Sequence, residues 1–224
     1  MIVDTAQNMG AGMADFTHRA ARTATGKRKA GTVPRITDKT EYNLYCHYTS
    51  GLIGEACSQL FTLIILPAKK TFAAIQPGPQ PVERPFLASQ ALLSNSYGLL
   101  VQKARDVVAL VEDAKEGVWV WPQEVVARAG VSSVEALMSN GRAEGESADN
   151  ALWALSEMVL GALGHVPDVL DYLVLLKNQS VFNMAAYPAA MALAMLDLCF
   201  MNPRVYSGDV ELRKAETIKV SLPR

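Results

Sequence analysis

The chain has 224 residues, of which 50% are hydrophobic, so it can bury a substantial core and is not a wholly disordered protein. Its 21 Lys and Arg residues nearly balance its 22 Asp and Glu residues, which excludes the strong basic field of a nucleic-acid-binding protein. The three cysteines, Cys46, Cys57 and Cys199, match no zinc-ligand spacing and favour reduced thiols in the cytoplasm.

Neither a signal sequence nor a transmembrane segment is predicted. The residues from Met1 to Asp4 include no basic region ahead of an apolar run. The most apolar stretch, residues 184–201, is interrupted by Pro188 and Asp197, which favours a helix of the protein core. We therefore expect a cytoplasmic protein without a membrane-spanning helix.

The first half of the chain shows one helical pattern between two irregular segments. Residues 17–35 are basic and lack apolar periodicity, which predicts a loop-like insertion. Asp38 and Glu41 form a capping-box pattern that predicts a helix running to Leu60. Residues 63–87 hold five prolines, which exclude a helix interior and a central strand, so a second insertion is predicted there.

Helical patterns dominate the second half. The first is predicted to run from Ala88 to Gly117, where glycine can end it. Ser132 and Glu135 form a second capping box, and residues 141–147 are a predicted polar loop. Later helices are predicted over the stripe from Leu152 to Leu163, over 169–177 after the break at Pro167, and over 181–200. Residues 218–220 are the one candidate extended segment. The predicted fold class is all-α, in a single domain over residues 1–224.

Five stretches of sequence carry a specific resemblance. They are Met9–Phe16, Tyr45–Gly54, Ser94–Lys103, Trp121–Val125 and His165–Asn183. In order and spacing they resemble the squalene synthases, the family whose members join two farnesyl diphosphates head to head. The resemblance implies an isoprenoid-synthase-type helical bundle. It also implies an incomplete one, because the counterparts of the family's N-terminal helices and C-terminal membrane anchor are missing.

Metal binding in the family depends on two Asp-x-x-Glu-Asp motifs, whose carboxylates share a helix face and hold Mg²⁺ against the diphosphate. The first motif would lie upstream of Met1. The second aligns with Ala109–Asp113, so the resemblance assigns Glu112 and Asp113 as ligands of a weakened Mg²⁺ site from which the leading Asp is lost. Asp106, three residues before Ala109, is an alternative ligand of a shifted site.

Catalytic and substrate-binding roles also follow from the resemblance. Tyr45 aligns with the family's essential tyrosine, whose phenol assists ionisation, moves a proton or stabilises a carbocation. The remaining expected contacts are mostly apolar and would line the prenyl pocket: Met9, Met13, Tyr48, Leu52, Ile53, Gln102, Phe182 and Met184. By physics alone, the apolar members of this set are also ordinary core residues. His47 is expected to be a packed histidine.

NADPH is the reductant that the resemblance implies, although the glycine fingerprint of a dinucleotide-binding fold is absent. Lys103 is retained from the family, and Arg213 with Lys214 aligns with its basic nicotinamide-phosphate contact, while Glu211 replaces a cation. Two further substitutions precede the acidic motif, because Arg105 and Val108 stand where the family has asparagine and arginine.

The sequence leaves four functions open. The first is a squalene-synthase-like prenyltransferase of isoprenoid or sterol biosynthesis, acting on prenyl diphosphates with impaired activity. The second is a non-catalytic protein that binds an apolar isoprenoid or a full-length synthase, and the third is a pocket reused for metal-independent cyclisation. The fourth is a truncated or mispredicted gene, in which residues 63–87 derive from translated non-coding sequence. An incomplete bundle would expose apolar surface, so we also expect a homo-oligomer, peripheral to the endoplasmic reticulum if it is membrane-associated.

Overall fold

A computed structural model describes residues 2–23, 36–66 and 80–211, whose secondary structure is helical apart from one short pair of strands. The first part contains α1 (Ile2–Thr23), α2 (Lys39–Cys46), a π-helical turn (His47–Gly51) and α3 (Leu52–Leu63). The second part contains α4 (Ala91–Val108), α5 (Leu110–Glu116), α6 (Gln123–Arg128), α7 (Val134–Gly141), α8 (Glu146–Leu163), α9 (Val166–Leu175) and α10 (Gln179–Cys199). Two 3₁₀ turns, Pro85–Ser89 and Pro203–Ser207, precede α4 and follow α10. The predicted all-α class is confirmed.

Helix α1 is longer than the sequence pattern indicates. The loop predicted at residues 17–35 was placed too early, because 17–23 form the end of α1. The stretch contains Ala20, Ala21 and Arg22, whose high helix propensity lets the helix continue beyond its last buried aromatic residue, Phe16. Residues 24–35 of the predicted loop lie outside the described part of the chain.

The predicted capping box at the start of α2 is confirmed. The Asp38 carboxylate accepts a hydrogen bond from the Glu41 backbone N–H at 2.8 Å. In return, the Glu41 carboxylate accepts one from the Thr37 backbone N–H at 2.7 Å. The helix then widens into the π turn, where the Leu52 N–H donates to the His47 carbonyl, before α3 continues to Leu63.

Two other predicted features differ from the structure. The second predicted capping box is wrong: Ser133 and not Ser132 is the N-cap, accepting the N–H of Ala136 at 3.2 Å, and Ala136 has no side-chain acceptor to complete a box. The single helix predicted from Ala88 to Gly117 is two helices, α4 and α5, separated by a turn at Ala109. Gly117 ends α5 with a φ of 75°, as the pattern predicts. Residues 218–220 lie outside the described part.

The predicted insertion at 63–87 contains two short strands. Strand β1 (Ile65–Leu66) pairs antiparallel with β2 (Gln80–Pro81), so that Ile65 lies opposite Pro81. The buried carboxylate of Glu83 follows β2 and accepts hydrogen bonds from the backbone N–H groups of Lys177 and Asn178, at 2.8–3.1 Å. This contact joins the segment after β2 to the junction of α9 and α10. Residues 67–79 lie outside the description.

Helix α4 lies at the centre of the bundle and packs against the π turn, α3, α8, α9 and α10. Two glycines make its contact with the first helices close. A Cβ atom on Gly98 would overlap the Ser50 carbonyl oxygen, and one on Gly54 would overlap the Ser94 carbonyl oxygen. The backbones therefore meet directly, which fixes the π turn against α4.

Helices α8, α9 and α10 keep large apolar side chains on the surface. Trp153 on α8 is 65% exposed and Val174 on α9 is 69% exposed. Two helical stretches, Glu146–Leu175 and Gln179–Cys199, are long and apolar enough to cross a bilayer by length and composition alone, each with a mean hydropathy of 1.4. The absence of a membrane-spanning segment therefore stays a prediction.

Candidate functional site

A cleft of about 1020 Å³ opens between α4–α5 on one side and α10 on the other. Its α4–α5 wall repeats at helical spacing and consists of Val101, Ala104, Arg105, Val108, Ala109, Val111, Glu112 and Lys115. Its α10 wall consists of Tyr187, Pro188, Met191, Ala192 and Met195, and one end is formed by residues 207–211. The walls are mainly apolar, with charged groups concentrated near Ala109 and at that end. Such a cleft suits a long apolar ligand with a polar end.

The turn at Ala109 decides which residues of the acidic motif face this cleft. Ala109 has φ −79° and ψ 2°, and α5 begins at the next residue. Ala109 and Glu112 line the cleft, whereas Asp113 does not and instead lies with Asp106 and Trp121 along a narrow crevice. The two predicted metal ligands, Glu112 and Asp113, therefore have different surroundings.

Arg105 connects the cleft wall to the buried carboxylates. Its guanidinium donates to Asp113 through two nitrogens, at 3.0 and 3.3 Å, and to Asp106 at 3.1 Å. Asp113 is 7% exposed and Asp106 is fully buried. Burial raises the pKa of Asp113, and the positive charge of Arg105 opposes that rise.

Asp106 is also bound by neutral donors. One carboxylate oxygen accepts from the Tyr42 hydroxyl at 3.1 Å, and the other accepts from the Gln102 amide at 2.8 Å. Burial raises the pKa of Asp106 to about 6, although Arg105 and these hydrogen bonds favour the charged form. The carboxylate suggested as a shifted metal ligand is thus enclosed by donors from three side chains.

The residues present do not fit a Mg²⁺ site at the second acidic motif. Mg²⁺ requires near-octahedral oxygen ligands, usually carboxylates together with waters. Here the guanidinium of Arg105 already contacts both Asp113 and Asp106, and Ala109 supplies no ligand. Across the residues described, no group of three or more His, Cys, Asp and Glu side chains is placed to hold a metal ion.

The predicted catalytic tyrosine does not line the cleft but lies where α1 meets α2 and the π turn, within reach of the charges of Asp106 and Arg105. Tyr45 is buried and packs edge-on against Phe16, with ring centroids 5.6 Å apart. Burial, followed by the negative charge of Asp106, raises the pKa of Tyr45 well above its usual value, so its phenol stays neutral. Tyr48 is half-buried beside Phe16 and lies directly over Gly12.

The residues predicted to bind substrate differ in their exposure. Of these, Leu52 is buried and Met13 and Tyr48 are half-buried against the main core. Ile53 is 46% exposed and Phe182 is 36% exposed. Met9 is half-buried and Met184 is exposed. None of these side chains lines the cleft between α4 and α10.

Gln102 and Lys103 serve the internal polar network of the bundle. The Gln102 carbonyl oxygen accepts from the Ser50 hydroxyl at 2.6 Å. Lys103 is buried, and its ammonium lies 2.8 Å from Nε2 of His165 and donates to the Gly161 carbonyl at 3.3 Å. Burial lowers the pKa values of both Lys103 and His165, the latter to about 4. Lys103 therefore does not fit the predicted contact with NADPH, and Arg213 and Lys214 lie outside the described residues.

Sequence reasoning did not select the α10 wall or Arg105 as site residues. The signal for the wall was present, because Pro188, Met191, Ala192 and Met195 follow the spacing of one helix face. Nothing in the sequence distinguishes that face from the opposite one. Arg105 was noted only as a replacement for asparagine, since its partner Asp113 lies beyond a turn that the pattern does not predict.

The described part of the chain is an all-helical bundle with a long apolar cleft, and comparisons with known proteins assign its ancestry. The family model for squalene/phytoene synthase matches residues 1–216. The chain is 36% identical to squalene synthase of Ganoderma lucidum, over 96% of this chain and 42% of that protein. It is 34% identical to squalene synthase of Bos taurus, over 99% of this chain and 44% of that protein.

A solved structure agrees with these sequence matches. TcSQS, a squalene synthase in complex with the ligand E5700, superposes with a TM-score of 0.77 at 27% identity, covering 97% of this chain and 54% of that chain. The protein belongs to the squalene/phytoene synthase family. The chain spans less than half the length of the two curated relatives above.

Proposed function

We propose that this protein is a squalene-synthase-like prenyltransferase that condenses prenyl diphosphates, with farnesyl diphosphate as the expected substrate. The observation that carries this function is the cleft of about 1020 Å³, whose apolar walls can hold a prenyl chain away from water. Family membership over residues 1–216 supports the reaction class. Impaired turnover is expected, because the acidic motif beside the cleft does not present converging carboxylates.

Tyr45 is the proposed catalytic group. Its phenol is buried, and the raised pKa keeps it protonated, so it can donate a hydrogen bond or stabilise a carbocation through its ring. Met13 and Tyr48 pack against the same core cluster as Tyr45 and are proposed to exclude water from it. Leu52 is buried and keeps its proposed substrate role on the basis of the resemblance. Ile53, Gln102 and Phe182 keep proposed substrate roles only on the basis of the resemblance.

A second candidate function is non-catalytic binding of an isoprenoid. The observation that favours it is the two-point contact between Arg105 and Asp113, which occupies a carboxylate that the family uses for metal. Such a protein would bind a prenyl ligand in the cleft without ionising it. It would act in isoprenoid metabolism as a carrier or as a partner of a full-length synthase.

The remaining proposals concern the partners of the protein and its location in the cell. Exposed apolar side chains on α8, α9 and α10 support association with a second copy, with a full-length synthase or with the surface of the endoplasmic reticulum. A cytoplasmic location is proposed from the reduced-cysteine composition. The near-neutral net charge of −1 offers no general attraction for nucleic acid.

The test separates the two functions with one protein preparation. Purified protein is incubated with farnesyl diphosphate, NADPH and a range of Mg²⁺ concentrations, and pyrophosphate and hydrocarbon products are measured. Turnover that is lost in Tyr45→Phe, while the buried-tyrosine control Tyr172→Phe, outside the cleft, keeps it, supports condensation. Binding of farnesol by calorimetry without pyrophosphate release supports the second function. If neither binding nor turnover is seen, both are wrong.

A further inference from the structure

Arg105 holds an unusual position for a cation in this cleft. The side chain is 53% exposed and lines the cleft wall, yet its guanidinium contacts two carboxylates that do not line the cleft. It therefore lies between the open space and Asp113. Arginine remains charged at every accessible pH, so this positive charge is permanent.

The arrangement leaves no coordination site for a divalent cation at Asp113. The guanidinium already occupies both carboxylate oxygens, at 3.0 and 3.3 Å, in the bidentate geometry that arginine forms best. A metal ion would have to displace Arg105 from Asp113 and then remain close to its positive charge. Removing the arginine from Asp106 as well would leave a fully buried carboxylate with only neutral donors.

The side of the acidic motif that faces the cleft has too few metal-ligating oxygens. Ala109 and Glu112 both line the cleft, one turn apart, as the first and second ligands of an acidic motif would. Ala109 offers no oxygen, so Glu112 is the motif's one carboxylate that faces the cleft. A single exposed carboxylate is too few ligands for Mg²⁺.

We infer that Arg105 replaces the metal as the counter-ion of Asp113, so that the second acidic motif of this chain does not bind divalent cations. Any reaction in the cleft then proceeds without a metal bound at residues 109–113. The inference rests on the proposed function only in assigning the cleft to a prenyl ligand. Removal of Arg105 together with restoration of a carboxylate at Ala109 is expected to create the metal site.

The experiment uses Mn²⁺ alone as the probe and measures bound Mn²⁺ by electron paramagnetic resonance. It compares wild type with Ala109→Asp and with the double variant Arg105→Asn/Ala109→Asp. Any Mn²⁺ bound by wild type is expected to be unaffected by Asp113→Asn. The double variant is expected to bind on the order of tenfold more tightly than Ala109→Asp. Lys115→Asn in the Ala109→Asp background is the matched control, because Lys115 lines the same cleft, and no gain is expected.

Two outcomes would overturn the inference. The first is Mn²⁺ binding by wild type that is abolished in an Asp113→Asn variant shown to be folded by a cooperative thermal transition. The second is a folded double variant, with a cooperative thermal transition, that binds Mn²⁺ no better than Ala109→Asp. Because no prenyl compound is present, neither outcome depends on whether the protein condenses prenyl diphosphates, and absence of turnover leaves the Mn²⁺ result unchanged.

Discussion

The hydroxyl of Tyr42 donates a hydrogen bond to the carboxylate of Asp106 across 3.1 Å, and both side chains are buried. Burial removes water from the Asp106 carboxylate and raises its pKa to about 6. On the other side of Tyr42, the ammonium of Lys103 lies 5.7 Å from the centre of its ring. Helices α2 and α4 are thus joined through a charged cluster as well as through apolar contacts.

Loss of the Asp106 charge is expected to change how stability depends on pH. The pKa of Asp106 is about 6 in the folded protein and 3.8 in the unfolded reference, so the folded state holds the proton more tightly. This group therefore lowers the free energy of unfolding as pH rises from about 4 to about 6, by roughly 3 kcal/mol. Asp106→Asn lacks that decrease, so in urea titrations its free energy of unfolding should rise relative to that of wild type between about pH 4 and about pH 6. Asp197→Asn, at an exposed position on α10, should keep the decrease.

His165 is expected to contribute the opposite slope. Burial and the neighbouring Lys103 lower the pKa of His165 to about 4, below its usual 6.5. The unfolded state then binds more protons between these values, so this group's stabilisation is lost as pH falls from 6.5 towards 4. In His165→Gln the contribution of Asp106 remains without the opposing one. The free energy of unfolding of this variant should therefore fall as pH rises from about 4 to about 6. The same slope in wild type and in His165→Gln would contradict this assignment.

Close packing at Gly98 predicts a specific destabilisation. A Cβ atom there would overlap the Ser50 carbonyl oxygen, and backbone atoms cannot move aside easily. Gly98→Ala should lower the free energy of unfolding by roughly 1–3 kcal/mol. Gly10→Ala on α1 is the control, since a Cβ there meets no atom within 4 Å, and alanine should favour the helix. Equal effects of the two substitutions in urea unfolding would refute the close contact.

The buried carboxylate of Glu83 predicts a second local effect. It accepts three hydrogen bonds from two backbone N–H groups at the α9–α10 junction. Glu83→Gln replaces one acceptor oxygen with an amide nitrogen and should cost about 2 kcal/mol. Glu135→Gln, on the exposed side of α7, should change stability little. Hydrogen exchange should accelerate at Lys177 and Asn178 in the first variant and not in the second.

The apolar surface of α9 predicts self-association. Leu170 and Val174 lie one turn apart and are 54% and 69% exposed. Leu170→Lys/Val174→Lys should shift the protein towards smaller species in light scattering after size-exclusion chromatography. Asp171→Asn, which lies between them and is exposed, should leave the distribution unchanged. Monomeric wild type at all concentrations would show that the surface does not associate.

Local signals in the sequence predicted much of the fold. The cap at Asp38 and the end of α5 at Gly117 follow from residue types at fixed spacing, and both are present. The π turn at His47–Gly51 was not predicted, because its wide hydrogen bonding is imposed by contact with α4. Apolar periodicity could not predict the turn at Ala109, since residues on both sides of it keep the same spacing.

The candidate site was less predictable because its contacts are distant in sequence. Lys103 meets His165 62 residues away, and Tyr42 meets Asp106 64 residues away. Resemblance indicated Glu112 and Asp113 as a pair, and only the structure separates them. The sequence shows that residue 105 is a cation, but the direction in which its side chain points depends on the packing of α4 and α5.

The pairing of β1 with β2 makes hydrogen exchange a reporter of how the bundle is held at this junction. Leu66 and Gln80 are opposite each other, so the chain leaves and re-enters the bundle at adjacent points. The contact continues beyond the strands, because the Val82 N–H donates to the Ile64 carbonyl at 2.8 Å. Slow hydrogen exchange at Val82 would therefore show that the chain after β2 stays attached to the end of α3.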